Sequence, residues 1–124
     1  MNTEAVFVYG TLRQGGSNHF RMEGAEFLGA GSIFGAIHRI EWYPALLCGG
    51  AGEVKGELYR VCAEHLRALD VFEGLVPDSD SPRAYRPAKV EVTLRTGEKE
   101  DAWVWEWLGS LEGTEPLGGG AWPA

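Results

Sequence analysis

The sequence predicts an α+β domain whose sheet is curled or closed into a barrel. Strand-like segments dominate it, one segment changes to a helical period, and glycine punctuates the chain. About six or seven segments read as strands against one or two helices, without the βαβ rhythm of a doubly wound sheet. Glycine makes up 18 of 124 residues and follows no repeat, so it divides short elements. The mass of 13.5 kDa fits one domain with its own hydrophobic core.

Ala5-Val6-Phe7-Val8-Tyr9 is an apolar, β-rich run that stops at Gly10, the pattern of a buried strand. Gly15-Gly16-Ser17-Asn18 reads as a loop, with Ser17 or Asn18 placed to cap a short helix over His19 to Met22. Phe27 to Ile40 is apolar but interrupted by Gly29, Gly31 and Gly35, which predicts two strands with bends or bulges. Tyr43-Pro44 breaks the pattern, and Val54 to Val61 ends in a further strand. From Cys62 to Phe72 the period changes: Leu66, Leu69 and Phe72 recur at threes between charged residues, an amphipathic helix that Gly74 is placed to close. Val76 to Pro82 is a polar loop. Ala88, Val90, Val92 and Leu94 then alternate with polar residues, Thr96-Gly97-Glu98 turns the chain, and Ala102 to Leu108 returns as a hairpin partner. Residues 1–108 are the expected domain. Residues 109–124 are a Gly/Pro-rich tail expected to lie loosely on the surface.

Eleven Lys and Arg against 18 Asp and Glu give a net charge of −7, and the isoelectric point is about 4.9. Such a balance repels phosphate backbones and anionic headgroups, which argues against nucleic-acid and membrane partners. Met1 to Val8 carries no basic segment of a secretory signal, and no apolar run approaches the roughly 20 residues of a spanning helix. The expected location is the cytoplasm. Cys48 and Cys62 form no CxxC and read as two small buried hydrophobes. His19, His38 and His65 lack metal-ligand spacing, so no metal is expected.

Chemistry can reside in a few places. In Tyr9-Gly10-Thr11-Leu12-Arg13, a buried strand ends in glycine, so the next N–H groups can turn into one concavity and hold an anion, with Arg13 adding charge. No GxxxxGK[ST] is present, so this is not a P-loop, and an ordinary strand followed by a turn fits the same residues. Glu73 stands at i+7 from Leu66, on the apolar stripe. Desolvation and the negative end of the helix dipole would both raise its pKa there. A frayed helix end that turns Glu73 into water fits equally. Asp70 can share that site or hold a loop, and Tyr85, flanked by Arg83 and Arg86, can reach the same cavity or pack on the core rim. Trp103, Trp105 and Trp107 alternate, so the indoles share one strand face as core, pocket wall or dimer surface, with core favoured.

Taken in order, Tyr9-Gly10-Thr11-Leu12-Arg13 after the first strand and Leu69-Asp70-Val71-Phe72-Glu73-Gly74 at the helix end resemble the gamma-glutamylcyclotransferase-like family. Tyr85, leading Ala88-Lys89-Val90-Glu91-Val92, is similar to that family's tyrosine-led strand. The resemblance spans Val6 to Leu108. It implies a small mixed β-barrel with one main helix and a pocket between the first loop and the acidic helix end. It also implies conversion of a gamma-glutamyl amide or amine into 5-oxoproline and a free amine, a cyclising acyl transfer or lyase reaction. By this resemblance Glu73 is the general acid/base, and Tyr9, Gly10, Thr11 and Leu12 bind substrate, with Arg13 and Tyr85 beside them. The substrate's own α-amine is the tethered nucleophile, so the reaction asks for no metal or cofactor. The partner is a small gamma-glutamyl molecule, and the protein is a monomer or homodimer. The other reading is a non-catalytic small-molecule binding module on the same fold.

Overall fold

The first strand, β1 (Thr3–Val8), is apolar on both faces because both faces are covered. Ala5, Phe7 and Tyr9 join one buried cluster, and Val6 and Val8 join a second. The computed structural model describes residues 3–10, 12–16, 18–40, 43–74, 85–108, 113–114 and 116–117, with the backbone alone at 40, 43, 51, 73 and 74. The other elements are a short 3-10 helix (His19–Met22), β2 (Glu26–Ile40), β3 (Tyr43–Cys62), α1 (Ala63–Gly74), β4 (Tyr85–Leu94) and β5 (Lys99–Trp107). The strands close into a barrel in the order β1-β3-β2-β4-β5. β1 runs parallel to β5, meeting it at Val6 and Trp103, and the remaining pairs are antiparallel, so the barrel is mixed. This is the α+β barrel with one main helix that the sequence predicts.

Three element boundaries differ from the sequence reading. The glycine-interrupted stretch is one continuous strand, β2. Its ladder with β3 shifts register between Phe27 and Gly29, where Leu28 is the extra residue of a bulge, and again between Phe34 and Gly35, whose partners Glu53 and Cys48 leave positions 49–52 of β3 outside the ladder; β2 itself continues through both. Tyr43-Pro44 starts β3 rather than breaking the pattern: Pro44 pairs with Arg39 at the beginning of the strand, where a missing N–H is tolerated. β3 then runs unbroken to Cys62, which brings the strands among the described residues to five.

The two apolar clusters form two layers. Inside the barrel lie Phe7, Ile33, Ile37, Leu46, Val54, Leu58, Val92, Ala102 and Val104 with Tyr9. Gly56 sits against them because a Cβ there would lie 2.6 Å from the Phe7 ring and collide with the Val8 carbonyl. Between barrel and α1 lie Val8, Leu12, Tyr59, Leu69, Tyr85 and Trp105, with Leu66, Phe72, Trp103 and Trp107 packed on them. The three tryptophans do share one face, under the helix: Trp105 is 2% exposed, and Trp103 and Trp107 are half-buried. Burying each large apolar side chain contributes roughly 1.5–3 kcal/mol.

The cysteines depart from expectation: Cys62 is exposed and Cys48 half-buried. Cys62 is the residue before α1, where its Sγ accepts the His65 N–H at 3.4 Å and caps the helix. Cys48 donates its N–H to Glu106 Oε2 at 2.8 Å, and burial, then the Glu106 charge, push its thiol up to about 11. The tail also differs from a loose surface segment at its described residues. The Leu117 N–H reaches the Ile37 carbonyl at 2.8 Å, His38 pairs with Pro116 and bonds Thr114, and Leu117 packs on the barrel interior. The polar loop from Val76 to Pro82 lies outside the described residues.

Candidate functional site

β1 delivers Tyr9 and Gly10 to the rim between barrel and helix, and both are buried. The Tyr9 hydroxyl donates to the Trp105 carbonyl at 2.6 Å, across the seam where β1 meets β5. Gly10 lies against Pro44: a Cβ there would stand 2.8 Å from Pro44 Cγ, closer than real side chains approach. The Tyr85 hydroxyl donates a hydrogen bond to the Pro44 carbonyl, and its ring packs edge-on against Trp107, 5.2 Å between centroids. The first loop, the start of β3 and the start of β4 therefore converge on Pro44. No sequence signal marked that proline except its apparent break in the strand pattern.

The chain turns after Gly10. The Gly10 carbonyl accepts both the Arg13 N–H at 3.2 Å and Arg13 Nε at 3.1 Å, so the guanidinium folds back over its own turn. Burial lowers the Arg13 pKa, and the Glu57 carboxylate opposes that shift. Arginine keeps its charge in such settings. Glu57 stands opposite Val8 in the β1–β3 ladder, directly beside the strand exit. One of its oxygens accepts the Gln14 N–H at 2.9 Å and the Tyr59 hydroxyl at 3.0 Å, which pins the outgoing loop to β3. Burial, then the bond to Glu57, raise the Tyr59 pKa and keep its hydroxyl a donor. Leu12 is buried in the same layer as Tyr85, and His19 Nδ1 meets the Leu12 carbonyl at 2.8 Å.

On the helix side, Leu69 is buried, as its place on the apolar stripe predicts, and Asp70 accepts the Trp105 indole N–H at 2.9 Å. Position 73 falls in the last turn of α1. The Glu73 side chain and the whole of Thr11 lie outside the described residues. The structure thus brings Tyr9, Gly10, Leu12, Arg13 and Tyr85 into one neighbourhood with Asp70. It adds Pro44 and Glu57, which sequence reasoning missed as site-builders, and Trp105, which sequence reasoning offered as core, pocket wall or dimer surface with core favoured. Glu57 carried a faint signal, a carboxylate one residue before a buried leucine in the strand facing β1. Among the described residues, no group of three or more His, Cys, Asp or Glu could hold a metal ion, and no helix is long and apolar enough to cross a membrane.

A family model described as gamma-glutamyl cyclotransferase, AIG2-like, matches residues 6–124. The chain is 35% identical over 102 residues to the "Putative gamma-glutamylcyclotransferase" of Vibrio cholerae, covering 81% of this chain and 78% of that protein. It is 35% identical over 102 residues to the bovine gamma-glutamylaminecyclotransferase, covering 72% of this chain and 56% of the bovine one. It spans about half the length of the plant and bovine relatives, 45% and 56%. The crystal structure of an AIG2-like protein from Mus musculus superposes with a TM-score of 0.71 at 30% identity, over 86% of this chain and 78% of that one. The sequence motifs, the mixed barrel and these likenesses agree, and the chain belongs to the gamma-glutamyl cyclotransferase, AIG2-like family of enzymes.

Proposed function

We propose that the protein converts a gamma-glutamyl amide or amine into 5-oxoproline and a free amine, with Glu73 as general acid/base. The substrate's α-amine attacks its own side-chain carbonyl carbon, and a new C–N bond closes the five-membered ring. Glu73 takes a proton from the attacking nitrogen and returns it to the leaving nitrogen as the original amide bond breaks. Water is neither consumed nor formed, and no redox partner enters. The nucleophile is tethered, so the protein's task is to bend the chain and move one proton.

Tyr9, Gly10, Thr11, Leu12, Arg13 and Tyr85 are assigned to substrate binding, with N–H groups of the first loop receiving the α-carboxylate or the developing oxyanion. The observation that carries the reading is the convergence on Pro44. In a chain of this family, the loop that resembles the substrate loop is seated so closely on Pro44 that any side chain at position 10 would have to push the proline or the loop aside. A rigid seat suits a loop whose backbone must meet a small ligand.

A panel of gamma-glutamyl compounds, with amino-acid, polyamine and peptide leaving groups, tests the assignment by 5-oxoproline release. Release from at least one is expected. Binding of such compounds without release from any would overturn the catalytic reading in favour of a binding module.

A further inference from the structure

We propose that Asp70 is a positioning residue, fixing the last turn of α1 against the first loop through the Trp105 indole and the Trp105 carbonyl that receives the Tyr9 hydroxyl. The inference rests on the reading of Glu73 as acid/base. Trp105 sits two residues before the end of β5, 2% exposed, and faces two ways. Its indole N–H reaches outward to Asp70 Oδ1 at 2.9 Å, and its carbonyl reaches sideways to the Tyr9 hydroxyl at 2.6 Å. Tyr9 is itself 6% exposed, so the link is packed from Trp105 to Tyr9, while Asp70 at its helix end is half-buried. A hydrogen bond to a carboxylate is shorter and stronger than one between neutral groups, and it fixes direction as well as distance.

Asp70 stands three residues before position 73, so the two are neighbours on the helix surface. Aspartate is also a poor interior helix residue, and its presence here needs a reason beyond propensity. The neighbouring tryptophan supplies a contrast. Trp103 gives its indole N–H to Glu4 at 3.3 Å, beside Lys89, and joins nothing on α1 by that bond. Of the two, Trp105 alone connects helix to first loop, the two halves that the proposed proton transfer requires at a set separation.

Steady-state turnover of a gamma-glutamyl compound would be measured for wild type, Asp70→Ala, Asp70→Asn, Trp105→Phe and the double variant D70A/W105F, with kcat and KM resolved separately. The Trp105 indole N–H and Tyr9 ring signals would be followed by NMR on the same samples. A displacement of about 1 Å at a reacting group costs up to roughly 10²-fold. The expectation is therefore a kcat roughly 10–100-fold lower in Asp70→Ala, while KM stays within about threefold. Asp70→Asn should recover most of the rate, because its Oδ1 still accepts the indole N–H. The double variant should be no slower than the slower single variant. In Asp70→Ala both NMR signals should move. If Asp70→Ala does not fold, Asp70→Leu, which keeps bulk and helix propensity, serves in its place. A folded variant with kcat within about twofold of wild type overturns the proposal, as does a double variant whose loss is the product of the single losses. If wild type turns over no compound, the functional reading fails instead. Positioning is then judged on the spectra: an unmoved Tyr9 signal in Asp70→Ala overturns it, and a moved one supports it.

Discussion

The barrel interior and the layer beneath α1 are both apolar, yet they are built differently. Among the described residues the interior is filled by aliphatic side chains with Phe7, and the Tyr9 hydroxyl in that cluster points out to the Trp105 carbonyl. The outer layer carries Tyr59, Tyr85, Trp103, Trp105 and Trp107, aromatic bodies with polar tips, and four of those tips are tied to Glu57, Pro44, Glu4 and Asp70. An aliphatic core gains stability from area and close packing but gives little direction. Aromatic residues with a donor at the edge add direction, because each buried donor must find its acceptor. The interior therefore supplies the scaffold, and the outer layer sets where the first loop and the helix end stand relative to one another.

Phe7→Ala is the hardest blow to the interior. Phe7 is fully buried, and the change should cost about 3–5 kcal/mol of stability, losing fold and activity together in thermal melts and turnover assays. Gly10→Ala should act on the outer side. The Cβ must push Pro44 or the loop by several tenths of an ångström, so kcat/KM should fall by roughly tenfold, about 1.4 kcal/mol, with a smaller loss of stability than Phe7→Ala causes. If Gly10→Ala instead unfolded the chain as Phe7→Ala does, the separation between scaffold and site layer would be wrong.

The smallest effect is expected where the inward face of β5 ends on a charge. Burial alone would raise the Glu106 pKa. The Cys48 N–H and the Arg86 guanidinium, 2.9 Å away, outweigh it and hold the carboxyl below the usual range. A lowered folded pKa means that this stabilisation is complete above the ordinary glutamate value of about 4.3 and is lost as the pH falls through the lower folded value. Melting temperature should drop as the pH is lowered below about 4, and Glu106→Gln should flatten that part of the profile without altering its shape near neutral pH. An unchanged acid limb in the variant would contradict the assignment.

Much of the fold was legible because single elements carry unambiguous patterns. The Ala5–Tyr9 run, the leucine stripe of α1 and the alternation of β4 and β5 each state their period within a few residues. β2 was not legible as one strand, because glycines that create bulges look in sequence like glycines that end strands. Pro44 misled for a related reason: whether a proline breaks a strand depends on which edge it occupies, and pairing decides that. Of the candidate site, Tyr9, Gly10, Leu12, Arg13 and Tyr85 could be proposed from motifs. The bonds from Asp70 to Trp105 and from Glu57 to Gln14 could not, since they join residues 35 and 43 apart that only the barrel closure brings together.

In the proposed reaction, one glutamate at the end of α1 moves the proton of a gamma-glutamyl cyclisation. Its most direct test is Glu73→Gln, with melting temperature, affinity for a gamma-glutamyl compound and 5-oxoproline release measured on the same sample. Glutamine keeps the shape and hydrogen-bonding reach but cannot take up and return the proton. The fold and binding should persist while turnover falls by roughly 10²–10⁴-fold. A folded, ligand-binding variant that turns over at the wild-type rate would rule out Glu73 as the acid/base.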